Sequence, residues 1–262
     1  MGRTWRTLVV LVGVGALAAC ASAPPRTPAP SPEVSPEIDR NDPLAATLLM
    51  QQGQALINQG KFTEGLAKLQ EALKLQPANP TIHNLMGRAE LAAGNPTKAL
   101  AAFNKALELA PSYSEARANR GSAYIYLGQL SLAESDFLTV LGDTTFPNRA
   151  GVYFNLGSLY YGQGKLAAAE ENLRKAATPA GPVEAYVLLG QVETRLGHQE
   201  LAENAFREAM RRAPERADAP LALGELLEQQ GRRQEARSLF EQVVSLAPHS
   251  KEAREAQEHL RR

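Results

Sequence analysis

The chain has 262 residues, and its 28 Lys+Arg against 28 Asp+Glu give a formal charge of zero, which excludes the cationic excess that non-specific nucleic-acid binding needs. A single cysteine excludes an internal disulfide framework and any multi-thiolate zinc site. Hydrophobic residues at 44% suffice for a large core, whereas 6% aromatics is lean for a β-sandwich, so a helical protein is expected.

In chain order, the first element is a basic start, Met1 to Arg6, followed by twelve uncharged and mostly apolar residues from Leu8 to Ala19. Twelve helical residues are too few for a bilayer core of about 30 Å, so residues 1–19 read as a secretory signal peptide. Gly13-Val14-Gly15-Ala16-Leu17-Ala18 mimics a dinucleotide fingerprint but lies inside this signal with no preceding strand, so it carries no cofactor reading. The segment ends Leu17-Ala18-Ala19-Cys20, which resembles the lipobox of bacterial lipoproteins. That resemblance implies cleavage before Cys20, a diacylglycerol on its thiol and an acyl chain on its new amino group, with no other cofactor. Two or more acyl chains suffice for stable attachment, at about 0.8 kcal/mol per buried CH₂. Ala21 and Ser22 follow the cysteine. The absence of Asp at the first of these positions implies, by the sorting rule of Gram-negative lipoproteins, the outer membrane, facing the periplasm.

Residues 20–43 form the next element. Ala21 to Pro43 holds seven prolines in 23 residues among Ala, Ser, Thr and Glu, a composition that precludes helix interior. It is expected to be an extended tether, reaching roughly 70 Å at about 3.1 Å per residue.

Beyond Pro43 the glycines are periodic. Gly53, Gly87, Gly121, Gly157, Gly190 and Gly224 are spaced by 34, 34, 36, 33 and 34 residues. Each is followed seven residues later by a second glycine, from Gly60 through Gly231. Small residues recur five positions further on, and Leu69, Phe103, Phe137, Leu173, Phe206 and Phe240 recur four beyond those. The physical reading is a helix–turn–helix unit. The first glycine permits close approach of two helices, the second ends the first helix in a left-handed conformation, and the large apolar residue fills the space between them. Pro77, Pro111, Pro214 and Pro248 stop the second helix. Asn79-Pro80 adds a start signal, an N-cap followed by a first-turn proline.

This period and residue pattern is similar to the tetratricopeptide repeat. The resemblance implies an all-α right-handed superhelical solenoid of six units over residues 44–250, at about 46–79, 80–113, 114–149, 150–182, 183–216 and 217–250. Residues 251–262, charged with sparse Ala253, Ala256 and Leu260, are expected to form a C-terminal cap helix.

Catalytic constellations are not found. His83, His198, His249 and His259 form no HExxH and read as surface residues. Gly162-Gln163-Gly164-Lys165 lacks phosphate-loop spacing, and the pairs Glu170-Glu171 and Glu225/Glu228 read as solvated helix faces. The chain is therefore expected to be no enzyme, with no metal site and no small-molecule substrate.

A helix-pair array binds partners. In the family's usual geometry, first-helix positions line a concave face: Met50 and Ile57 in the first unit, Ile125 and Tyr126 in the third, Phe154 and Tyr161 in the fourth. An apolar and aromatic central groove suits an extended or amphipathic partner segment. Ile125, Tyr126 and Tyr161 either face this groove or pack within the array, whereas Phe154 is expected to be exposed. The last two units turn polar, and no Lys/Asn cluster resembling a carboxylate clamp is present.

The 36-residue step carries Asp143-Thr144-Thr145-Phe146-Pro147-Asn148-Arg149, and with Tyr153 and Asn155 the pattern over Asp143–Gly157 resembles the type IV pilus biogenesis/stability lipoproteins, the pilotins of the pilus secretin. The resemblance implies an outer-membrane lipoprotein scaffold that binds secretin subunits and promotes their localisation and multimerisation, with Phe146, Arg149 and Asn155 among its pattern positions. A general cell-envelope adaptor, recruiting peptidoglycan enzymes or outer-membrane assembly factors, is the competing expectation.

Overall fold

The computed structural model describes residues 44–261. The signal segment, Cys20 and the Pro-rich stretch lie outside these residues. Among the described residues the structure holds thirteen α-helices and no strand. They are α1 (Ala45–Asn58), α2 (Phe62–Leu75), α3 (Pro80–Ala92), α4 (Pro96–Leu109), α5 (Ser114–Tyr126) and α6 (Leu130–Gly142). There follow α7 (Arg149–Gly162), α8 (Leu166–Ala176), α9 (Val183–Leu196), α10 (Gln199–Arg212), α11 (Asp218–Gln229), α12 (Arg233–Leu246) and α13 (Lys251–Leu260). No described helix is long and apolar enough to cross a membrane. The helices fall into two compact units, one running through Asp136 and the other from Phe137, so that the division lies within α6.

Each helix pair is closed by the same device. The turn glycines Gly60, Gly94, Gly128, Gly164, Gly197 and Gly231 all have φ between 72° and 83°. At Gly197 the left-handed backbone lets its own N–H reach the carbonyl of Thr194 and that of His198 reach Glu193, satisfying carbonyls that the end of α9 leaves open.

The other glycine of each pair sets the distance between helices. A Cβ at Gly190 would stand 2.5 Å from a ring carbon of Phe206, and one at Gly87 2.5 Å from Phe103. Gly224 meets Phe240 at 2.6 Å and Gly157 meets Leu173 at 2.7 Å in the same way. The large residue sixteen positions on therefore fills the volume a side chain would take, and Phe103, Phe206 and Phe240 are buried as a result. Burying each aromatic ring contributes about 3 kcal/mol, which truncation to Ala would forfeit together with a cavity term.

Helix ends follow local chemistry. Asn79 Oδ1 accepts from the Thr81 N–H at 2.9 Å ahead of Pro80, and Ser250 Oγ accepts from the Ala253 N–H at 3.0 Å to start α13. Helices α2, α4, α10 and α12 stop two residues before Pro77, Pro111, Pro214 and Pro248, since the residue before a proline is driven out of the helical region. In the unit from Phe137, one cluster gathers Phe154, Ala169, Leu173, Leu188 and Val192. Another gathers Phe206, Leu223, Leu227, Phe240, Val243 and Ala256 of the cap helix. In the unit through Asp136, Leu49, Ile57, Leu69, Ile82 and Leu85 form the equivalent core.

Candidate protein-binding site

The first-helix positions expected to face a partner divide into two groups. Met50, Ile125, Tyr126 and Tyr161 are half-buried and present part of their surface. Ile57 is buried against Leu49, Leu69 and Leu85. Phe154 corrects the sequence reading, being 0% exposed rather than open to a groove. The reason is the packing of α7, whose buried residues Gly151, Val152, Phe154, Asn155, Leu156, Gly157 and Leu159 surround the helix. Phe154 is thereby held between Leu173 of α8 and Leu188 of α9. Tyr161 holds an intermediate place, with the Arg195 guanidinium 5.0 Å from its ring centre.

The irregular connection between α6 and α7 is a built loop. Asp143 Oδ1 accepts from the Thr145 N–H at 3.0 Å and from its hydroxyl at 2.6 Å, folding an Asx turn. Asn148 Oδ1 caps α7 through the Gly151 N–H at 3.1 Å. Arg149 donates to the carbonyls of Leu141 and Asp143, each at 2.8 Å, closing the end of α6. Its guanidinium also lies 5.8 Å from the Tyr153 ring centre. Phe146 is buried at 8% exposure and Asn155 at 0%. Of the pattern residues in this stretch, Arg149 and Tyr153 keep part of their surface while Phe146 and Asn155 are interior.

Polar chemistry that composition did not foretell is concentrated on first helices. In the unit through Asp136, Asn119 Nδ2 donates to Asn84 Oδ1 at 3.0 Å, and Asn84 Nδ2 lies 3.2 Å from the Tyr113 hydroxyl and 3.3 Å from Glu115. Both asparagines are buried. Burial, then the nearby Glu115 carboxylate, pushes the Tyr113 hydroxyl above its ordinary range. Burial alone does the same to Tyr126. Arg120 grips both oxygens of the buried Asp136 at 2.8 Å, and the hydrogen bonding holds its guanidinium still more firmly charged.

In the other unit Glu193 is 1% exposed. It accepts from Arg174 at 2.9 Å and contacts His198 Nδ1 at 2.7 Å, and Arg174 also reaches Glu170 at 2.6 Å. Ligand atoms of Glu170, Glu193 and His198 lie within 4.8 Å of one another, the one such group among the described residues. Arg174 already supplies both carboxylates with a cation, which accounts for the cluster as an ion network. Two sequence readings change here. Glu170 belongs to this network rather than to a solvated face. His259, read as a surface residue, is half-buried, stacked on Phe240 with ring centres 4.6 Å apart, and its Nδ1 lies 2.7 Å from Glu228. Periodicity gave no signal for His259, whose partner Glu228 comes from another helix, nor for the buried Glu193 of α9 that Arg174, four residues beyond Glu170 on the same helix, also grips.

Comparison with known proteins agrees with this architecture. The family model described as "Tetratricopeptide repeat" matches residues 50–114, 119–185 and 187–251. The structure is similar to that of PilW, a "widely conserved type IV pilus biogenesis factor", with a TM-score of 0.71 at 22% identity, covering 81% of this chain and 98% of that one. It is equally similar to Pseudomonas aeruginosa pilF, with a TM-score of 0.71 at 20% identity, covering 81% and 96%. At such identities the likeness is one of fold. Among curated proteins, 99 residues are 32% identical to the human protein O-mannosyl-transferase TMTC2, which is 36% of this chain and 12% of that one. Human tetratricopeptide repeat protein 7A is 31% identical over 127 residues, 48% of this chain and 15% of that one. The chain thus spans only 12 to 15% of the length of these curated relatives. With three matched segments covering most of its length, the chain belongs to the tetratricopeptide repeat family.

Proposed function

We propose that this protein is a non-enzymatic scaffold, anchored at the outer membrane by acyl chains on Cys20, that binds type IV pilus secretin subunits and promotes their localisation and multimerisation. The observation that carries this reading is the match of its helix pairs to nearly the whole of PilW, a type IV pilus biogenesis factor, and of Pseudomonas aeruginosa pilF, 98% and 96% of their chains. The lipobox-like Leu17-Ala18-Ala19-Cys20 and the Asp143–Gly157 pattern support it. Partly exposed Met50, Ile125 and Tyr126 in one unit and Tyr161 in the other supply apolar surface on first helices. Ordered side chains on rigid helices offer a partner segment a preformed surface and so limit the entropy lost on binding.

The test is deletion of the gene. Secretin is expected to remain monomeric and pilus-dependent motility to be lost. Heat-stable secretin multimers at normal levels in the deletion strain would overturn the reading. A Cys20→Ala variant is expected to leave the membrane fraction and to mislocalise the secretin.

A further inference from the structure

At the end of the unit from Phe137 lies a cleft of about 370 Å³. Its walls are Arg233, Ala236 and Arg237 of α12, His259 and Leu260 of α13, and Glu228 of α11. The volume is within the range of sites that hold a small ligand or one or two side chains. Four observations define what fits.

First, Arg233 and Arg237 stand one helical turn apart on one wall. Arg233 has no ion-pair partner among the described residues, and Arg237 meets Glu241 at 3.1 Å in a pair whose members are both more than half exposed. Such a pair is weak and exchanges readily for a better-placed carboxylate. Second, Arg233 is the first residue of α12, whose N-terminus has no side-chain cap, and the one carboxylate of that first turn, Glu235, is held by Arg232 at 2.7 Å. Third, the acidic wall is spoken for: Glu228 is held by His259 Nδ1 at 2.7 Å. Fourth, the floor is apolar, with half-buried Leu260 beside the buried Ala236 and the Phe240 ring on which His259 stacks.

We infer that this cleft binds an acidic–apolar element of a partner protein, a carboxylate for the Arg233/Arg237 pair beside an apolar side chain for the floor. A free small anion would leave the floor unused. Bidentate geometry favours carboxylate recognition by the two guanidiniums. The cleft lies between the last repeat's second helix and the cap helix, with Glu228 its one wall residue from a first helix. The inference rests on the reading of the chain as a partner-binding scaffold and names the chemistry of one contact.

The test uses the full-length chain in detergent and two fluorescein-labelled peptides, acetyl-Gly-Asp-Phe-Asp-Leu-Gly-amide and its counterpart with both Asp replaced by Asn. Fluorescence anisotropy is expected to show at least tenfold tighter binding of the acidic peptide, weakening with added salt. The double variant Arg233→Glu/Arg237→Glu is expected to lose that preference with unchanged circular dichroism, the two side chains being exposed. Glu241→Gln, which releases Arg237, is expected to tighten binding two- to threefold. Equal affinity for the two peptides, or an undiminished preference in the double variant, would overturn the inference. So would a double variant that loses binding to phosphatidylglycerol vesicles while keeping that preference, since the arginines would then serve a lipid surface. The secretin assay is independent: normal multimers on deletion would sink the secretin reading alone, and equal peptide affinities the cleft alone.

Discussion

Two connections within the unit from Phe137 solve one problem in different ways. Between α6 and α7, and again between α8 and α9, the chain departs from the regular spacing, and each loop is pinned by one arginine. Arg149 donates to the carbonyls of Leu141 and Asp143. It is a local clamp, since donor and acceptors lie within eight residues. Arg212 donates to the carbonyls of Thr178, Pro179 and Gly181 at 3.0, 2.9 and 3.1 Å. It reaches back across a whole repeat, 31 to 34 residues. The first loop can form from its own sequence. The second is held only when α10 has packed. A local clamp is visible in sequence as a motif, while a distant one is an ordinary arginine near a helix end.

This contrast can be broken at several points. The largest effect is expected at Gly181, where a Cβ would stand 1.9 Å from the Ala176 carbonyl oxygen. That neighbour is backbone and cannot swing away, so Gly181→Ala should cost about 3 kcal/mol or more in urea unfolding. Arg212→Ala comes next at about 2–3 kcal/mol, because three loop carbonyls lose one charged donor. Hydrogen exchange should rise in residues 177–182, far from the substitution in sequence. Arg149→Ala should cost about 1–2 kcal/mol, with faster exchange confined to residues 141–149, since the Asp143 turn and the Asn148 cap persist. If Arg149→Ala loosened both loops alike, the local-clamp description would fail.

Gly142→Ala sharpens the comparison from the opposite side. Nothing lies within 4 Å of a Cβ built there, so the substitution should be neutral or stabilise α6 by up to about 1 kcal/mol. A Tm below wild type would show that the connection needs its glycine after all.

The smallest effect concerns the far end of the same unit. Burial first, and then Glu255 and Glu228, hold the Glu225 carboxyl above its ordinary value against the opposing His259. A carboxyl raised in the folded state contributes stability below its unfolded pKa and loses that contribution as pH rises through the folded one. Glu225→Gln should therefore raise Tm near neutral pH, and the gain should disappear in acid. An advantage that grew as pH fell would reverse the sign of this account.

The sequence was informative wherever a residue type answers a backbone demand. Six turn glycines, the glycine–Phe or glycine–Leu pairs and the helix-stopping prolines all act within one repeat, so they recur and can be counted. The candidate site was legible only in part. Met50, Ile125, Tyr126 and Tyr161 keep some surface, but Phe154, which occupies an equivalent position in its repeat, is interior because α8 and α9 close over it. Position within a repeat fixes which way a side chain leaves its helix, and the neighbouring pair fixes whether it meets solvent.

The division between what each level determined follows from that. Sequence alone determined helix class, the repeat length and the turns, since these rest on φ preferences and on side-chain volume at fixed offsets. Only the tertiary structure decided which polar groups meet. It placed the Asn84–Asn119 bond, the buried Glu193 between Arg174 and His198, the reach of Arg212 and the arginine-walled cleft beside His259. The partners in the bonded pairs and networks lie from 5 to 35 residues apart on different helices or turns, and their distances are set by how helices pack, which no local pattern of residues encodes.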